Sequence, residues 1–238
     1  MSRYLIIIAI LFVSSSIFIG VFLDHDKEIQ DDNSINILEN NSLGTVEIDG
    51  PYGNVHSLNK IAIIIGVHPL ENNSHRAVAN ILKNKNKSLN NCYYIYRINV
   101  TKDLNDFDKS RLNGQELAKN VVPDINIKNY DLVVDFHAHR GVYEDYNFII
   151  APLNDKKSKS IGLAIIQNIS EIGILKFVPA TDGHPSSPDD VTIPIINNGT
   201  SALIYETYLN ESTNKTVSLV NKFITNLDGL NNLGNFCF

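Results

Sequence analysis

The chain opens on an uncharged apolar run, Leu5 to Leu23 (LIIIAILFVSSSIFIGVFL), hydrophobic on every face of any helix it would form. At ~1.5 Å per residue it covers most of a ~30 Å hydrocarbon layer. Arg3 precedes the run and Asp24, Asp26, Asp31 and Asp32 follow it, an asymmetry that predicts a cytoplasmic N-terminus and an exported body. Small residues in an A-x-A-like arrangement are missing before Asp24. That favours an uncleaved anchor over 1–24, with a cleaved secretory signal as the alternative. From 25 to 59 the pattern turns polar, with short apolar interruptions at 35–38 and 45–48, and reads as a linker carrying one edge strand.

From residue 60 onward, strand and helix patterns alternate. Lys60 to Gly66 (KIAIIIG) is a β-branched run suited to burial on both faces of a sheet, and Ser74 reads as the cap of a helix over 76–83. Cys92 to Val100 is the next strand, 110–120 a helix, and Asp131 to Phe136 (DLVVDF) a second doubly buried strand. A strand over 146–151, a long helix over 158–174, a strand over 201–205 (SALIY) and a closing helix over 216–227 complete the pattern. In the last helix Val217, Leu219, Val220, Phe223 and Ile224 share a face. The expected fold is an α/β three-layer sandwich over 60–238, with a mixed, mainly parallel central sheet.

Composition narrows the function classes. The 238 residues, less the apolar N-terminus, allow one domain of roughly 150 to 200 residues. With 43% hydrophobic and 19% charged residues the chain is too apolar for disorder. Twenty basic against 26 acidic residues give a net charge of −6, and no Lys/Arg stripe is present to neutralise phosphates, so nucleic acid is not an expected partner. Cys92 and Cys237 are too few for a disulfide framework or a cysteine-rich metal site, although one bridge between them is open. Sequons such as those at Asn72, Asn99, Asn198 and Asn210 arise readily by chance in so Asn-rich a chain and add little to the case for export.

Ligands of such sheets gather beyond the carboxyl ends of the strands. Three places there carry chemistry. His68 and Glu71 leave the first buried strand three residues apart, able to aim an imidazole and a carboxylate at one cation. His137 ends the middle strand, with Asp135 two residues earlier on the same face, where a carboxylate could orient a metal-bound imidazole. His139 competes with His137 for that role. Glu206 ends SALIYE, a position where desolvation raises a carboxyl pKa toward the range of a general base.

The ordered set resembles the zinc carboxypeptidase superfamily. The closest resemblance is to its succinylglutamate desuccinylase/aspartoacylase branch, through Gly66-Val67-His68, the Asp135-Phe136-His137 strand end and Ala202-Leu203-Ile204-Tyr205-Glu206. The resemblance implies one Zn2+ held by His68, Glu71 and His137, with Glu206 activating water. Two His and one carboxylate with an open position is, independently, a hydrolytic and not a structural donor set. The family's Asn-Arg pair, which binds substrate carboxylate and stabilises the oxyanion, is matched to Ser110-Arg111, Ser replacing Asn; Arg76 and Arg140 are alternatives. His139 and Tyr143 are expected near the substrate, His184 in the loop Asp182 to Pro188 reads first as a loop residue that could line the site, and Glu144 or Asp145 are the next base candidates after Glu206. The family's additional C-terminal β-domain is not matched after Glu206, which suits a more open cleft for a peptide end. The expectation is an exported zinc hydrolase of peptide or N-acyl amino acid amide bonds, with a cell-wall peptide as the natural exported substrate. The alternative is an inactive envelope binding module on the same fold, which would be marked by a missing ligand or base. A purely structural envelope protein would leave the His/Glu set without a reason.

Overall fold

The computed structural model describes residues 35–141, 143–175 and 187–236. The Leu5 to Leu23 run, His184 and Cys237 lie outside them, and no described helix is long and apolar enough to cross a membrane.

Among the described residues eight strands form one sheet. They are β1 (Asn36–Asn41), β2 (Gly44–Gly53), β3 (Lys60–Ile65), β4 (Cys92–Val100), β5 (Leu132–His139), β6 (Phe148–Ile150), β7 (Gly173–Leu175) and β8 (Ser201–Tyr208), in the order β1-β2-β4-β3-β5-β8-β6-β7. The core β4-β3-β5-β8 is parallel, whereas β2 runs antiparallel to β4 and to β1, and β6 antiparallel to β8. The connecting helices are α1 (Asn72–Lys85), α2 (Phe107–Ala118), α3 (Val121–Lys128), α4 (Lys156–Ile166), α5 (Ser187–Asp190), α6 (Thr192–Asn197) and α7 (Thr213–Asp228).

The unbroken apolar strands are explained by two covered faces. Ile61, Ile63, Leu132, Val134, Phe136, Leu203 and Tyr205 face one way, onto α1, α4 and α7. Ala62, Ile64, Val133 and Ala202 face the other, onto α2, α3 and α6. On the first side Tyr205 stacks on Phe223 of α7 with centroids 4.7 Å apart, and Phe136 meets both rings edge-on. Truncating Phe223 there costs about 3–5 kcal/mol by the usual behaviour of buried aromatics.

Four expectations change. The stretch taken as a linker holds two strands, because Val46 and Ile48 alternate with polar neighbours and bury one face of β2 along β4. The folded domain accordingly extends ahead of Lys60, the described residues entering the sheet at Asn36. The helix after β3 begins at Asn72, and Ser74 lies inside it with its hydroxyl donating to the His137 carbonyl instead of capping. The long helix over 158–174 stops at Ile166; after a turn, residues 173–175 add β7 beside β6. It is capped by Asp155, which accepts from the Ser158 N–H at 2.8 Å.

The topology fixes where a site can form. The chain leaves β3 for β4 on one side of it and returns from β4 to β5 on the other, so the connections diverge between β3 and β5. Such a switch point opens a crevice at the carboxyl ends of the strands. Gly66 turns the chain out of β3 with φ +88°, and a Cβ there would overlap the Ile98 carbonyl oxygen.

Candidate metal centre

His68 and Glu71 follow Gly66 on the turn into α1, and His137 lies within the fully buried strand β5, two residues before its end. Parallel pairing sets His137 of β5 directly opposite Glu206 of β8. Side chains alternate along a strand, so Asp135, His137 and Glu206 fall on the face opposite Phe136 and Tyr205. Three separate chain segments therefore meet at one corner of the sheet.

The ring Nδ1 of His68 lies 2.9 Å from Glu71 Oε1, and that of His137 lies 3.2 Å from Glu71 Oε2; the two Nδ1 atoms are 3.1 Å apart. All three side chains are buried. The Ala138 N–H donates to Glu71 Oε2 at 2.9 Å, and Arg111 Nη1 to Glu71 Oε1 at 2.6 Å. On the far edge of the His137 ring Asp135 Oδ2 is 2.9 Å from Nε2, outside hydrogen-bond alignment, and Ser187 Oγ is 3.4 Å away.

The electrostatics follow from burial and from these neighbours. Burial pulls His68 down to about 4, against the pull of Glu71, so its imidazole is neutral near pH 7. Burial would raise Glu71, but hydrogen bonds from His137 and His68 outweigh it and hold the carboxyl well below its ordinary value. Burial also opposes charge on His137; Asp135 and then Glu71 outweigh it and raise the ring well above its ordinary range. Burial pushes Glu206 up to about 7, opposed by His137 and Arg111 and reinforced by Glu71 and Asp135. Its Oε2 is buried without a hydrogen-bond partner.

The donor set fits a divalent metal ion. One ring nitrogen each from His68 and His137 and one Glu71 oxygen lie within 4.8 Å of one another, a group compact enough to gather on one ion whose tetrahedral bonds of about 2.0–2.1 Å set donor atoms ~3.3 Å apart. Two ring nitrogens and one carboxylate leave a tetrahedral ion one position for a substrate.

The remaining candidates divide. Arg111 reaches the centre, while Ser110 turns its hydroxyl back to the Phe107 carbonyl within α2. The guanidinium of Arg140 stacks 3.9 Å from the centroid of Phe107. Arg76 lines a separate cavity of about 250 Å³ with Arg97 and Asn99. His139 donates from Nε2 to the Tyr146 carbonyl and accepts the Gly141 N–H at Nδ1, so both nitrogens are spent on the β5–β6 loop and neither faces a metal. Tyr143 is exposed and packs edge-on to His139. Glu144 is exposed, and the Asp145 carboxylate lies against Gly173.

Two neighbours escape a reading by sequence. Ser187 sits in a Pro-rich stretch with no periodicity. Gln115 places Nε2 3.5 Å from His68 Nε2, and its Oε1 is buried without a partner. Its signal was Gly114, whose Cβ would overlap the Val67 carbonyl oxygen: the missing side chain lets α2 lie against the turn that carries His68.

This sheet, its helices and its His-Glu-His corner define an α/β protein of the zinc carboxypeptidase-like fold. Solved structures with that architecture include a protein described as a metallopeptidase from Shewanella denitrificans (TM-score 0.54, 13% identity, 82% of each chain covered). Others are a metallo-carboxypeptidase from Burkholderia cenocepacia (0.53, 12%, 88% of this chain and 68% of that one) and the tripeptide-bound cell shape determinant Csd4 of Helicobacter pylori (0.52, 14%, 82% and 54%). The chain thus spans about half the length of Csd4. At such identities the likeness is one of fold. No protein-family model matches the sequence, and no curated protein does.

Proposed function

We propose that the protein is a zinc-dependent hydrolase of amide bonds in peptides or N-acyl amino acids, with His68, Glu71 and His137 as the metal ligands. The observation that carries this reading is the convergence of three buried donor atoms beside a carboxyl group raised to about 7 and left without a partner. A zinc ion there would supply Lewis acidity toward a carbonyl oxygen and toward water. Asp135, behind the His137 ring, holds it in orientation.

Glu206 is the general base in this reading: near pH 7 it is poised between its two forms, and its free Oε2 takes the proton of the attacking water. Arg111 uses one of five N–H donors on Glu71 and keeps the others for a substrate carboxylate or the developing oxyanion. Tyr143 stands exposed on the β5–β6 loop as a further substrate contact, with His139 behind it holding that loop.

A peptide substrate accords with neighbours that are peptidases, and a cell-wall peptide with the cell shape determinant among them, seen with a bound tripeptide. Export rests on the sequence: the Leu5 to Leu23 run flanked by Arg3 and Asp24 is proposed as a single-pass anchor holding the domain outside the membrane.

Zinc-loaded protein screened against peptides and N-acyl amino acids tests the reading. Glu206→Gln should keep one zinc per chain and the fold, and lose ~10²–10⁴-fold in kcat. Normal turnover by that variant on a substrate that wild type cleaves would remove Glu206 from the mechanism.

A further inference from the structure

Gln115 is a long polar side chain inside the molecule, on α2, with an amide that the fold does not satisfy. Its NH2 meets His68 Nε2 at a marginal 3.5 Å, and its carbonyl oxygen is buried with no donor in reach. A buried acceptor left this way forfeits its hydration without recovering a hydrogen bond, so a purely structural Gln is a poor choice at this position.

The protons on His68 give the amide a purpose. As the site stands, the Nδ1 edge of His68 is 2.9 Å from a carboxylate oxygen of Glu71, so the ring proton is on Nδ1 and Nε2 holds a lone pair. That lone pair accepts from the Gln115 NH2. A metal bound at Nδ1 requires the other neutral tautomer, with the proton on Nε2, and a proton there needs an acceptor. The only side chain recorded within hydrogen-bond distance of His68 Nε2 among the described residues is Gln115. A half-turn of its amide replaces the NH2 by the carbonyl oxygen.

We infer that Gln115 is the positioning residue for His68, its reversible amide matching the Nδ1–H tautomer of the metal-free site and the Nε2–H tautomer of the metal-bound one. The inference rests on the ligand role proposed for His68. A single amide serves because it carries a donor and an acceptor of nearly equal size on one rotatable bond. Gly114 supports it by letting α2 approach the His68 turn closely enough for the contact.

Zinc titration of the full-length protein against a chromophoric chelator, with ¹⁵N chemical shifts of the His68 ring, provides the test. Gln115→Met fills similar volume without an acceptor and should weaken zinc binding by ~10–100-fold, the range of outer-shell changes. Its metal-free melting temperature should not fall. Gln115→Glu, which retains an acceptor, should bind zinc at least as well as wild type. The wild-type ring should carry its proton on Nδ1 without zinc and on Nε2 with it. Equal zinc affinity in Gln115→Met and wild type, or a His68 proton on Nε2 in both states, overturns the inference. Wild type that takes up no zinc would instead overturn the ligand assignment on which it depends.

Discussion

The two ends of the central strands bury polar groups in opposite ways. At the amino edge Asp228, from the last turn of α7, accepts the backbone N–H groups of Asn90 and Asn91 at 2.9–3.0 Å and the Tyr93 hydroxyl at 3.1 Å. Asn91 and Asn59 extend this set, the Asn59 amide donating to Asn91 Oδ1 and to the Leu230 carbonyl. At the carboxyl edge Oδ1 of Asp135, Oε2 of Glu206 and Oε1 of Gln115 are buried without hydrogen-bond partners, and the Nδ1 atoms of His68 and His137 stand 3.1 Å apart. The first cluster is complete and pins α7 to the sheet. The second is open, and unsatisfied polar atoms gathered in one place mark where something else is meant to bind.

The largest separation of the two edges should come from the donors themselves. His68→Ala or His137→Ala should lower metal affinity by more than the ~10–100-fold typical of outer-shell substitutions and abolish turnover, while leaving the amino edge intact. Metal analysis of the purified variants reads this directly. Metal content equal to wild type in both variants would dissolve the contrast.

Asp228→Ala should show the reverse signature. It leaves two backbone N–H groups and a tyrosine hydroxyl without their buried acceptor, a loss of about 3 kcal/mol, or roughly 6–12 °C in Tm for a domain of this size. Zinc stoichiometry in the folded fraction should stay that of wild type. Calorimetry and metal analysis on one preparation separate the two effects.

A smaller effect is expected from pH on the metal-free protein. Glu206 titrates at about 7 in the fold and at 4.5 when unperturbed, so between those values the folded state holds a proton that the unfolded chain has released. Stability contributed by the neutral carboxyl is therefore complete below pH 4.5 and lost as pH rises toward 7. Glu206→Gln should flatten that slope in denaturant titrations across the window. A slope unchanged by the substitution would place the titration elsewhere.

The least change in metal binding is expected from His139→Ala. Its nitrogens serve the Tyr146 carbonyl and the Gly141 N–H, so the variant should keep zinc affinity within about twofold while loosening the β5–β6 loop. Faster amide exchange at Gly141 with unchanged zinc binding is the combination to look for. A large loss of zinc would return His139 to the ligand question.

The parallel core and the identity of the chemical groups are legible in the order of residues. Strands buried on both faces must be apolar over several consecutive residues, so KIAIII, DLVVDF and SALIY announce themselves, and a His or Glu at the end of such a run has no packing reason to be there. The half-buried margin was harder: in β2 only alternate residues are apolar, and polar composition hides such a strand in what looks like a linker. The helix expected over 158–174 failed because an apolar run such as Ile172 to Leu175 suits a strand as well as a helix until a neighbour, here β6, offers it a ladder. Tertiary structure alone decided which residues meet. His137 and not His139 joins His68 because α1 and the sheet close around one ring while the β5–β6 loop consumes the other, and Gln115 reaches Nε2 only because Gly114 admits a backbone contact from Val67. Periodicity shows which face a side chain takes. Contacts between segments 40 to 70 residues apart depend on how closely layers approach, and that is a property of the packed whole.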